Sequence, residues 1–149
     1  LDAVTYPQTA VSDAIAAHCV PLQIDNTQPG AETLLQKYRH IWTPDLRILE
    51  ADGNELYRWG GYLPPFEFAP QFLAAVAQAH LRLKQFDPAI DIYEDVLKRF
   101  PTSFAAAEAH YFLAVSKYRK THESNELLRG WHELEKTFPG SEWTVKQNF

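Results

Sequence analysis

Two stretches of this chain, EDVLKRFPTSF (94–104) and HELEKTFPGSEW (132–143), repeat one pattern at a fixed distance. An acidic residue, an aliphatic residue, Lys, Phe-Pro and Ser recur in order. They appear first as Asp95, Val96, Lys98, Phe100-Pro101 and Ser103, then as Glu133, Leu134, Lys136, Phe138-Pro139 and Ser141. The prolines stand 38 positions apart (139 − 101). Such a period marks a supersecondary unit stacked on a copy of itself, because one unit cannot bury its apolar face alone. The flanking sequence predicts helices. PPFEFAPQFLAAVAQAHLRLKQF (64–86) leads to Asp87-Pro88, where Pro88 suits the first turn of AIDIYEDVLKRFP (89–101). SFAAAEAHYFLAVSKYRKTH (103–122) and NELLRGWHELEKTFPG (125–140) repeat that arrangement, and SEWTVKQNF starts a fifth helix. Tyr93, Phe100, Tyr111, Phe112, Tyr118 and Trp131 recur at helical spacing, the signature of packing between helices.

This second part resembles the tetratricopeptide repeat, whose period is about 34 residues. Ala89, Tyr93, Val96 and Pro101 fall at its second-helix positions, and Leu127, Trp131, Leu134 and Pro139 do so again. Ala77 with His80, and Val115 with Tyr118, fall at the small-residue and tyrosine positions of the first helices. His80 and Leu127 depart from the pattern, and the four-residue excess falls around KTHESN (120–125). The resemblance implies all-α helical hairpins over residues 65–149 and a protein or peptide partner. Tyr111, Lys117 and Tyr118 are the groove candidates. Solenoids of this kind need about three repeats, so two would lean on the preceding part as a cap, sharing the helix PPFEFAPQFLAAVAQAHL with it.

Ahead of Pro64-Pro65 the chain changes character. Pro7 breaks any helix begun at Leu1, after which Val11, Ala14, Ile15 and Ala17 give a helical face. CVPLQID (19–25) has strand length, with Val20, Leu22 and Ile24 on one face. NTQPG is a loop, and AETLLQKYRH carries Leu34, Leu35 and Tyr38 at helical spacing. DLRILEADGNELYRW reads as a hairpin: Leu46, Ile48 and Glu50 alternate with Arg47 and Leu49, Asp52-Gly53-Asn54 turns, and Leu56 and Tyr57 begin the return.

The order helix, CVPLQID, a helix ending in KYRHIW, Thr-Pro, hairpin, then GGYLPPFEF into a helix resembles the thioredoxin fold from its second helix onward. Fold class is therefore expected to be an incomplete α/β thioredoxin-like part over residues 1–64 joined to the all-α repeats. The resemblance implies a cis bond between Thr43 and Pro44, with Thr43 offering backbone hydrogen bonds to an extended substrate and Trp42 beside them. It places Gly60 or Gly61 where the last strand leaves the sheet. A Cys-x-x-Cys pair, usual in that family at the start of the preceding helix, is missing here, since Cys19 is the single cysteine. LDAVTYP resembles the segment just after that motif, so motif and central strand are expected upstream of Leu1. Without that strand, CVPLQID and DLRILE would expose unpaired edges.

One cysteine excludes an intrachain disulfide and a cysteine-based metal cluster. The absence of methionine, even at position 1, reads as a processed product or fragment. A net charge of −5 argues against nucleic acid as a partner. No run approaches the roughly 20 apolar residues that span a bilayer, and no basic start with an apolar core reads as a signal peptide. A soluble chain follows, with cytoplasm the favoured compartment. Cys19 reads as a buried inert thiol, and on a strand His18 would point to the opposite face. The other histidines lack metal-ligand spacing, so no metal, cofactor or catalytic residue is assigned. Trp42 and Trp59 form either a peptide-gripping rim at the proline turn or part of the core. The residues available describe a peptide- or protein-binding module. The alternatives are a thiol-disulfide oxidoreductase with its Cys-x-x-Cys upstream of Leu1, and an assembly protein forming a homo-oligomer through its helical half.

Overall fold

The computed structural model describes residues 1–147. In chain order its elements are α1 (Thr9–His18), α2 (Glu32–Lys37), β1 (Asp45–Leu49), β2 (Glu55–Gly60), α3 (Pro65–Arg82), α4 (Phe86–Arg99), α5 (Phe104–Thr121), α6 (Ser124–Thr137) and α7 (Glu142–Lys146). The repeat is present in the elements themselves. Helices α4 and α6 each have 14 residues and begin 38 positions apart (124 − 86). Helix α7 follows α5 at the same interval (142 − 104) and packs on α5 and α6, much as α5 packs on α3 and α4. It therefore stands where the first helix of a further unit belongs. The fifth helix expected from SEWTVKQNF is α7, and positions 148–149 of that stretch lie outside the described residues.

Stacking depends on small residues. Ala74, Ala75 and Ala77 of α3 and Ala106 and Ala109 of α5 are fully buried, and short side chains at a crossing let helix axes approach closely. Helix α5 also takes an N-terminal partner from another helix. Its N-cap Ser103 makes no side-chain cap bond, while the backbone N–H of Phe104 donates to Oε2 of Glu67 on α3 at 3.0 Å. The buried Glu67 carboxylate thus lies at the positive end of an 18-residue helix. Between α4 and α5, Glu94 accepts from Lys117 at 2.8 Å and Asp87 pairs with Lys120.

One core runs through both parts of the chain. Val11 and Ala14 of α1, Phe68, Phe72 and Val76 of α3, Tyr93 and Val96 of α4, and Leu113 of α5 belong to the same buried cluster. Helix α3 is its spine, packing on α1 and the hairpin as well as on α4 and α5. Ala17, expected on the buried face of α1, is exposed.

The hairpin is antiparallel, pairing Leu46 with Trp59 and Ile48 with Tyr57. Gly53 supplies the positive φ of +85° that the turn requires. Leu46, Ile48 and Trp59 are half-buried against the core, and the Trp59 ring lies 6.3 Å from that of Phe68. Trp59 is therefore a packing residue, while Trp42 is 73% exposed; the two make no rim.

The strand expected over CVPLQID does not form. Val20 is 95% exposed and Leu22 79%. A strand needs a ladder partner, and the sheet consists of β1 and β2 alone among the described residues. The architecture is thus a tetratricopeptide-like helical region with a small two-stranded sheet on its N-terminal side, less sheet than the thioredoxin resemblance implies. The Thr43–Pro44 peptide bond is cis. No described helix is long and apolar enough to cross a membrane.

Candidate protein-binding surface

Two surfaces gather the residues singled out from sequence. The first surrounds the Thr43-Pro44 turn, just ahead of β1. The Thr43 hydroxyl accepts from Asn26 Nδ2 at 3.1 Å and lies 3.3 Å from His40 Nε2. His40 Nδ1 is in turn 3.3 Å from Asp45 Oδ2. Asp45 also accepts twice from Arg47, at 3.0 and 2.6 Å. Burial opposes ionisation of Asp45, yet hydrogen bonds from Arg47 and His40 and the guanidinium charge hold its carboxyl below the usual range. Arg47 continues the chain of contacts to the Tyr38 carbonyl at 2.6 Å and to Glu55. The loop bearing Trp42 is thereby tied to the hairpin, and Ile41 and Trp42 project from it, both largely exposed.

The second surface belongs to α5, α6 and α7. Tyr111 is not free in a groove. Its ring packs 5.2 Å from Phe112, 5.4 Å from Trp131 and 5.3 Å from Trp143, joining the three helices. Lys117 is half-exposed, its ammonium on Glu94, and it borders a small cavity of about 50 Å³ between α5 and α6 with His110, Arg129 and Glu133. Tyr118 is half-exposed near the end of α5, its ring 6.5 Å from that of His122. Tyr111, Lys117 and Tyr118 are all half-exposed on α5, and of the three Tyr111 makes the most ring contacts with α6 and α7.

Sequence reasoning missed Glu108. It is half-buried on α5 and accepts from the Tyr57 hydroxyl of β2 at 3.3 Å. Burial raises its pKa, against the opposing effect of the Tyr57 bond and the Lys146 charge. Burial and the neighbouring Glu108 charge push the Tyr57 phenol up to about 12. The available signal was an acidic residue on the alanine-rich helix SFAAAEAHYF, where a fully solvated face was not on offer.

Cys19 caps the end of α1, half-buried against the core. Burial raises its thiol pKa, the opposite of what an attacking thiolate requires. Among the described residues no group of His, Cys, Asp and Glu is placed to hold a metal ion.

Helical hairpins stacked in a 38-residue register define a tetratricopeptide-like helical region. A family model of the tetratricopeptide repeat matches residues 70–116, which run from within α3 through α4 into α5. No curated protein matches the chain.

Proposed function

We propose that this chain is a protein- or peptide-binding module. The observation that carries the reading is the tetratricopeptide match over residues 70–116 together with the stacking of α3 to α7 in the same register. Stacked repeats of this kind present extended surfaces whose shape suits a partner chain. In this reading Lys117 and Tyr118 touch the partner, and Tyr111 with Phe112, Trp131 and Trp143 forms a packed aromatic cluster beside them. The N-terminal part, a thioredoxin-like remnant, serves as the cap of the solenoid through α3.

The test is a peptide selected from a random library on the whole chain, followed by affinity and melting measurements on variants. Lys117→Gln and Tyr118→Ala should each weaken binding roughly tenfold, the size expected for an interface residue worth more than about 1 kcal/mol. Their melting temperatures should stay close to that of the unaltered protein. Tyr111→Ala should instead lower the melting temperature. Binding unaltered by both surface substitutions would remove the assignment to α5.

A second reading is favoured by the turn before β1. The polar network from Asn26 to Asp45 holds Thr43 and Pro44 next to the exposed Trp42 and the unpaired stretch 19–25. That arrangement suits a site for an extended substrate in a thiol-disulfide oxidoreductase whose cysteine pair lies upstream of Leu1. Thiols counted under denaturing, reducing conditions in the protein taken from its source decide it: three support the reading, and one ends it.

A further inference from the structure

A different part of the surface carries chemistry that neither reading uses. Between the end of α2 and the outer face of the hairpin lies an open cleft of about 500 Å³, within the size range of small-ligand sites. Lys37, Arg39, Arg47 and Arg58 line it together with Asp52 and Glu55, in a chain whose net charge is −5. Both carboxylates are already engaged. Asp52 accepts from the Asn54 backbone N–H at 2.8 Å within the turn, and Glu55 pairs with Arg47. Arg47 is fully committed as well, to Asp45, Glu55 and the Tyr38 carbonyl. Lys37, Arg39 and Arg58 form no ion pair among the described residues.

Four cations and two carboxylates line this concavity, so cations are in excess even with Asp52 and Glu55 counted. Arg58 sits directly across the ladder from Arg47, where like charges disfavour pairing of the strands. Arg39 occupies the left-handed region at φ +48°, a position that Gly or Asn fills with less strain. Lys37 and Tyr38 lie against the turn: a Cβ on Gly53 would come within 2.8 Å of the Lys37 ammonium and 3.0 Å of the Tyr38 hydroxyl. The Lys37 ammonium rests 5.0 Å above the Tyr38 ring, and the Arg47 guanidinium carbon is 5.1 Å from the same centroid. Tyr38 is itself fixed to the turn, donating to the Gly53 carbonyl at 3.0 Å.

We propose that this cleft binds the dianion of a phosphate monoester, with Lys37, Arg39 and Arg58 as its ligands and Arg47 and Tyr38 as the support that positions them. Two guanidinium forks and one ammonium point charge match a group with three acceptor oxygens and about two negative charges. The same group is carried by small sugar phosphates and by phosphorylated peptides.

The experiment is a titration of the whole chain, followed by amide NMR at about 0.15 M salt, where interactions of exposed charges beyond roughly 8 Å are largely screened. The probes are inorganic phosphate, a sugar phosphate and a phosphoserine peptide with its unphosphorylated form. Saturable shifts confined to residues 37–39, 47, 52–55 and 58 are expected. Arg58→Gln and Arg39→Gln should each weaken binding roughly tenfold, the loss of one charge-assisted contact. Lys136→Gln removes an exposed charge on α6 and should leave binding unchanged. Tighter binding of the phosphopeptide than of the sugar phosphate assigns the site to a phosphorylated chain, and the reverse assigns it to a small molecule. The proposal is overturned if shifts scatter over all basic residues, vanish at this salt, or weaken equally in Lys136→Gln. Equal binding of the unphosphorylated peptide would overturn it too.

Discussion

The contact between Tyr57 and Glu108 places a titratable group where hairpin and repeats meet. The folded-state pKa of Glu108 lies above its ordinary value of 4.5 because burial disfavours the charged form. A raised pKa contributes stability that is complete below the unfolded value and is lost as pH rises through the folded one. Glu108→Gln keeps an acceptor for Tyr57 and removes the charge. The variant should gain stability relative to the unaltered protein as pH climbs above 4.5, with the gap levelling off once the carboxyl is ionised in the fold. Urea midpoints of both proteins from pH 4.5 to 8 check this; a pH-independent gap would contradict it. At Gly130 the constraint is steric. A Cβ there would sit 2.4 Å from Ala114 Cβ across the α5–α6 crossing. Helix propensity favours Ala over Gly by about 1 kcal/mol, while overpacking costs about 1–3 kcal/mol. Gly130→Ala should therefore lower the melting temperature, and adding Ala114→Gly should recover most of the loss.

At the scale of elements, Glu67 does for α5 what a local cap would otherwise do. Replacing it by Ala leaves the Phe104 N–H without its carboxylate and should cost about 1–2 kcal/mol by the measure of lost caps. Chemical denaturation of Glu67→Ala gives the number, and a loss no larger than for an exposed glutamate such as Glu135 would contradict the cap. No sequence pattern announces this bond, because residues 67 and 104 meet only through tertiary packing. What local pattern can encode was legible. Phe-Pro at 100–101 and 138–139 marks the ends of α4 and α6, and Asp52-Gly53 marks the hairpin turn. CVPLQID was misread for a physical reason: alternation signals a strand's faces, but only a neighbouring strand makes the ladder. Of the residues singled out from sequence, Trp42 is exposed and Lys117, Tyr118 and Tyr111 are half-exposed. The sequence could not separate Trp59, which packs on the core, from Trp42, since an aromatic looks the same whether its ring is covered or open. The Glu108 junction was likewise invisible, being assembled from residues 51 positions apart in sequence.

For the whole molecule, a single core spanning α1, the hairpin and α3 to α5 means that the repeats and the N-terminal part depend on one another. Helix α3 is buried almost throughout from Glu67 to Ala79, so neither part has a complete core without it. The partner surface proposed above lies at the far end of the stack, on α5 to α7. Three readings of the molecule separate there. The most direct measurement is the affinity of a library-selected peptide for the chain with Cys19 alkylated under conditions that keep it folded, taken at two protein concentrations. A binding module predicts a saturable affinity that is the same with Cys19 free or blocked and at both concentrations. No saturable peptide binding, accompanied by a dimer that grows with concentration, would contradict it and leave assembly as the function of the helical half.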